Sequence, residues 1–84
     1  MAHVIKYQKL NDSGISDTAA AIYNSYVESG KIIDFDKVVT LAGTYCYLRF
    51  TDEETADAYL AEMAAINENE TTGNDRGPLV RYDE

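Results

Sequence analysis

Little in this chain can form a covalent or metal cross-link. One cysteine and one histidine occur in 84 residues, so an internal disulfide is excluded and thiolate and imidazole cannot build a four-ligand zinc site. No apolar run approaches the roughly 18 residues that a membrane span requires, and no charged-then-apolar signal segment is expected at the start. The expected setting is the cytoplasm, or the interior of an assembled particle. Bases are scarce as well, with 7 Lys and Arg against 15 Asp and Glu and a net charge of −8. Phosphate attraction supplies most non-specific nucleic-acid affinity, so this balance disfavours RNA and leaves DNA out of the expected partners. There is no glycine-rich phosphate loop, paired-carboxylate signature or catalytic triad. No catalytic residue, cofactor or metal is assigned, and the reading leans away from an enzyme.

The charge is unevenly placed. Residues 1–51 hold five acids and five bases, whereas residues 52–84 hold ten acids against Arg76 and Arg81. Asp52, Glu53, Glu54 and Asp57 form an acidic patch at the head of the second half. Charge there favours a helix N-terminus and keeps a small protein soluble. It would also steer basic protein surfaces toward the chain.

Apolar residues make up 45% of the sequence, too many for a disordered chain and enough for one two-layer core, so residues 1–84 read as a single domain. The organising stretch is 44–54, Thr-Tyr-Cys-Tyr-Leu-Arg-Phe-Thr-Asp-Glu-Glu. Strand side chains alternate between faces, which sends Cys46, Leu48 and Phe50 toward a core and Tyr45, Tyr47 and Arg49 to the opposite side. Thr51 with Glu54 has the spacing of a capping box that opens a helix. Its stripe, Ala56, Tyr59, Leu60, Met63 and Ala64, runs to about Ile66.

The remaining elements follow in order. Residues 3–10 alternate as a strand, and Asn11-Asp12-Ser13-Gly14 is turn chemistry. Ser16 caps a helix whose buried stripe is Ala19, Ile22, Tyr23, Tyr26 and Val27, and Gly30 ends it. Residues 31–41 form a second strand, irregular where Ile32 and Ile33 break the alternation. With Ala42-Gly43 as a hairpin loop, Thr40 faces Tyr45, Val38 faces Tyr47 and Asp36 faces Arg49, while Phe35, Val39 and Leu41 join the core side. Residues 67–78 read as a mobile polar loop, and 79–82 as a fourth strand after a Gly-Pro break.

This order, β-α-β-β-α-β, predicts an α+β, ferredoxin-like fold: a four-stranded antiparallel sheet with both helices on one face. The other face is left open. Val38, Thr40, Tyr45, Tyr47 and Arg49 should lie on it, with Lys6 from the first strand, as the candidate partner-binding face. Arg49 is expected to be the cross-strand partner of Asp36.

Residues 43–50, Gly-Thr-Tyr-Cys-Tyr-Leu-Arg-Phe, resemble the third-strand motif of the RNA-recognition motif, basic-Gly-aromatic-Gly/Ala-aromatic-aliphatic-x-aromatic. The resemblance implies base stacking on Tyr45 and Tyr47 and core positions for Leu48 and Phe50. Gly43, Thr44 and Cys46 depart from the pattern, and the first strand offers Lys6 where a further aromatic would stand. The strand-to-helix junction is equally similar to that of small dimeric α+β-barrel proteins, which press two open sheets together. That likeness implies a dimer enclosing a small molecule, in some cases an enzyme.

Tyrosine suits a half-exposed strand without any ligand, and Cys46 between two tyrosines on the core side reads as a buried, inert thiol. His3 has no evident partner. The reading favoured over RNA binding and over a ligand-enclosing dimer is a small acidic interaction module, regulatory or assembly in kind. It would bind a protein partner or itself through the open sheet. Compact acidic chains of this sort suit such roles, including in viruses and phages.

Overall fold

A computed structural model describes residues 2–9, 16–66 and 77–84. The expected turn at 11–14, residue 10 and most of the loop expected over 67–78 lie outside the described residues. The elements are β1 (His3–Lys9), α1 (Asp17–Glu28), β2 (Ile32–Thr40), β3 (Gly43–Phe50), α2 (Glu53–Ala65) and β4 (Val80–Asp83). One four-stranded sheet has the order β2-β3-β1-β4. Each neighbouring pair is antiparallel, so β3 sits between the two parallel strands of the β1-α1-β2 unit. This is the expected α+β, ferredoxin-like βαββαβ arrangement.

Local chemistry accounts for the helices. Ser16 Oγ accepts the Ala19 N–H at 3.2 Å, the N-cap bond that starts α1. At its end Gly30 takes φ 75°, and the Gly30 and Lys31 N–H groups reach the Val27 and Tyr26 carbonyls at 3.1 and 2.9 Å. That is a Schellman closure, which needs the left-handed residue glycine supplies. The second helix starts one residue later than expected. Asp52, not Thr51, is its N-cap, accepting the Thr55 N–H at 2.7 Å. Both residues can cap, and the carboxylate adds charge complementarity to the helix dipole.

The core lies between the helices and the side of the sheet bearing Ile5, Leu48 and Phe50, joined by Ile32, Ala19, Ala56, Met63 and Leu79. Its centre is aromatic. Tyr26 of α1, Phe50 of β3 and Tyr59 of α2 pack with ring centroids 5.0 to 6.4 Å apart. The Tyr26 hydroxyl donates to the Glu62 carboxylate and so ties the two helices together. Burial, and then that hydrogen bond, push the Tyr26 phenol well above its ordinary value. Cys46 is free and buried, as expected.

Three expectations about the core are corrected. The hairpin loop is Leu41-Ala42, so Thr40 pairs with Gly43, Val38 with Tyr45, Asp36 with Tyr47 and Asp34 with Arg49. The shift is two residues along the partner strand, which preserves which side chains share a face. Thr40 stabilises this loop by donating its hydroxyl to the Gly43 carbonyl at 2.9 Å and accepting the Ala42 N–H at 3.2 Å. Gly43 at φ 139° opens β3 where alanine would be strained.

Second, Phe35 and Val39 face the expected side without entering the core, and Leu41 lies in the turn, fully exposed. Phe35 meets Tyr23 edge-on and is still exposed, and Val39 is 74% exposed. Nine strand residues extend roughly 30 Å and twelve helical ones only about 18 Å, so α1 cannot cover β2 to its tip. Third, Val27 and Ala64 lie outside the buried stripes of their helices. The irregular start expected for β2 is a bulge: Ile32 pairs with Phe50 and Asp34 with Arg49, leaving Ile33 as the extra residue. It lets Ile32 enter the core while Asp34 onward keeps the opposite phase.

Candidate functional site

Register determines what the uncovered face displays. Lys6 pairs with Tyr47 and with Val80, Gln8 with Tyr45, and Val4 with Arg49 and Tyr82. Residues opposite one another share a face. Thus Lys6, Val38, Thr40, Tyr45, Tyr47 and Arg49 all belong to the face without helices, joined by Val80 and Tyr82. The last two are absent from the sequence reading. The short alternation in β4 hints at them, but its phase becomes known only from the pairing with β1.

Two clusters divide this face. In the first, the Lys6 ammonium stands 5.0 Å from the Tyr45 ring centroid and 5.6 Å from that of Tyr47, within cation–π range of both. Lys6, Gln8, Tyr45, Pro78 and Val80 border an open depression of about 210 Å³. Gly77, expected in a mobile loop, is buried and donates its N–H to the Gln8 carbonyl at 2.8 Å, which anchors the rim of the depression to β1.

The second cluster surrounds Arg49. Its guanidinium pairs with Asp36, and with Glu84 at 2.8 Å, while Asp34 lies 3.6 Å away. Hydrogen bonds to Glu84 and Asp36 hold it still more firmly in the charged form. Asp36 is therefore a partner of Arg49 as expected, but diagonally rather than directly opposite. Val4 is fully buried although no helix lies on its side, because Arg49 and Tyr82 flank it from the neighbouring strands. An arginine held by three carboxylates is a structural cross-brace and has little left to offer an anion. The Tyr82 phenol is raised, chiefly by burial and then by the Glu84 charge.

The acidic patch is not one site. Asp52 is a helix cap, and the Thr55 hydrogen bonds hold its carboxyl below the usual range. Asp57 pairs with Arg81 Nε at 3.1 Å, whereas Glu53 and Glu54 face solvent. Among the described residues no three acids, histidines or cysteines are grouped as metal ligands. His3 does have a partner: its Nδ1 lies 2.8 Å from Asp83 Oδ1, and Arg81 Nη1 reaches the same oxygen at 2.7 Å. Hydrogen bonds from Arg81 and then His3 lower the Asp83 carboxyl. These residues join β1, β4 and α2 on the helix side, a role visible only once the termini are brought together.

No helix among the described residues is long and apolar enough to cross a membrane. Comparison with known protein families, with curated protein sequences and with solved structures finds no match to this chain.

Proposed function

We propose that this protein is a small interaction module, regulatory or assembly in kind, that binds a protein partner through the open face of its sheet. The observation that carries this reading is the Lys6–Tyr45–Tyr47 cluster on the side without helices, with Val38 and Val80 beside it, each 43% and 53% exposed. Tyrosines are rigid, amphipathic contact residues, and they are enriched at interface centres. Burying two of them against a complementary surface contributes a few kcal/mol, enough to matter in a micromolar complex.

Single-stranded RNA has less support. The arginine on this face is neutralised by Asp34, Asp36 and Glu84, and these carboxylates face any approaching phosphate. The test is a Tyr45→Ser, Tyr47→Ser double variant. It should keep the far-ultraviolet circular dichroism of the parent and lose the proteins that the immobilised parent retains from its own cell extract. Retention of the same proteins by the variant would refute the role of this face, and loss of only ribonuclease-sensitive material would turn the reading to RNA.

A further inference from the structure

We infer that the chain pairs with a second copy of itself through the outer edge of β2, forming one sheet across the two-fold axis. This goes beyond the partner face proposed above and does not rest on it. β2 is an edge strand of nine residues, and eight of them are exposed. Five of the large apolar side chains in solvent lie on it or in its turn: Ile33, Phe35, Val38, Val39 and Leu41. Proteins usually protect an edge of this length with proline, charge, a bulge or a covering element. Here the bulge at Ile33 and the charges of Asp34, Asp36 and Lys37 guard its first part, and the stretch from Val38 to Leu41 carries none of these. Among the described residues nothing pairs with this one.

The main chain is set for pairing. A two-residue loop makes Thr40 and Gly43 a hydrogen-bonded pair, and such pairs alternate along an antiparallel ladder. Thr40, Val38 and Asp36 therefore spend their backbone groups on β3, whereas those of Phe35, Lys37 and Val39 point outward. An antiparallel copy can satisfy them.

The side chains select the register. With the two-fold axis through Val38, Val38 faces its own copy, Lys37 faces the copy's Val39, Asp36 its Thr40 and Phe35 its Leu41. No like charges are directly opposed, and the exposed apolar residues from Phe35 to Leu41 are covered together. Shifting the axis to Lys37 sets two lysines face to face, and shifting it to Asp36 sets two aspartates.

Charge favours this edge over the other. The net charge of −8 resides wholly in residues 52–84, and residues 1–51 are balanced. Among the described residues, Asp52, Glu53, Glu54, Asp57 and Glu62 lie at or in α2, which packs on β1, β3 and β4, and Asp83 and Glu84 lie on or just after β4, the opposite edge. Contact through β2 leaves the acids of α2 and Asp83 away from the new seam, while contact through β4 would bring the Asp83 carboxylates of the two copies together. The product is an isologous dimer whose two open faces form one continuous surface.

The test is a concentration series of the full chain by sedimentation equilibrium at physiological salt, with amide hydrogen exchange followed by NMR. The mass should rise from 9.4 kDa toward twice that value. Exchange of the Phe35, Lys37 and Val39 amides should slow as concentration rises. Val39→Lys, at a site exposed enough not to disturb the monomer, should weaken association by roughly tenfold or more, because it places an unpaired charge in the new contact. Tyr45→Ser with Tyr47→Ser should leave association unchanged. A mass of 9.4 kDa at every concentration up to the millimolar range overturns the inference. So does a dimer that survives Val39→Lys at parental strength, or one in which those three amides exchange as fast as in the monomer.

Discussion

Leu48 and Val39 share one side of the β2–β3 hairpin, yet their truncation to alanine should have very different consequences. Leu48 is 1% exposed and belongs to the cluster of Ile5, Phe50, Tyr59 and Met63. Leu48→Ala removes buried methyl groups and leaves a cavity between the sheet and α2, a cost of about 2–5 kcal/mol. At roughly 0.05–0.15 kcal/mol per residue, a chain of this length has a total stability of about 4–13 kcal/mol, so the loss is a large share of it. Val39, 74% exposed, forfeits almost no contact, and Val39→Ala should stay within about 0.5 kcal/mol of the parent. Urea unfolding followed by circular dichroism, in dilute protein so that self-association does not contribute, measures both. The slopes should match the parent while only the Leu48→Ala midpoint falls, and each kcal/mol should lower its melting temperature by about 4–8 °C. If the two variants lose equal stability, the hairpin tip is packed and the account of α1 as too short to cover β2 is wrong. A Leu48→Ala cost well under 1 kcal/mol would remove Leu48 from the core.

Gly43→Ala should cost about 1 kcal/mol or more in the same unfolding assay, since φ 139° strains any residue with a Cβ and the new atom meets Gln8 Nε2 at 2.5 Å. Gln8→Ala should not restore the loss, because the flexible amide can swing aside and the backbone strain remains; full restoration would assign the cost to the clash. For Tyr26, a folded-state value above the ordinary 10.0 means that its contribution is intact below pH 10 and lost as pH rises through the folded value. Stability measured against pH should accordingly fall above about pH 10, and Tyr26→Phe should lessen that fall; an identical alkaline limb in the variant would dissociate Tyr26 from it.

Much of the architecture depends on short-range chemistry and was legible in the residues. Ser16 and Gly30 bound the first helix, because capping and left-handed closure are decided within a few positions. Alternation along 45–50 separated the Tyr45, Tyr47 and Arg49 side from the Cys46, Leu48 and Phe50 side, and a hairpin slip of two residues could not disturb that division. The candidate face was therefore readable in outline, including Lys6 as the cation on β1. The choice between Thr51 and Asp52 as cap, one position apart and both competent, was not decided by the sequence.

Tertiary structure decided what depends on lengths and on distant partners. Whether Phe35, Val39 and Leu41 are core or edge turns on how far α1 reaches along β2, which no local pattern records. Glu84 joins Asp34 and Asp36 around Arg49, and Asp83 meets His3, only because β4 is laid beside β1. These contacts span 35 to 80 residues of chain. Side-chain alternation specifies a face, but only the assembled sheet specifies which parts of that face are covered, neutralised or left free to bind.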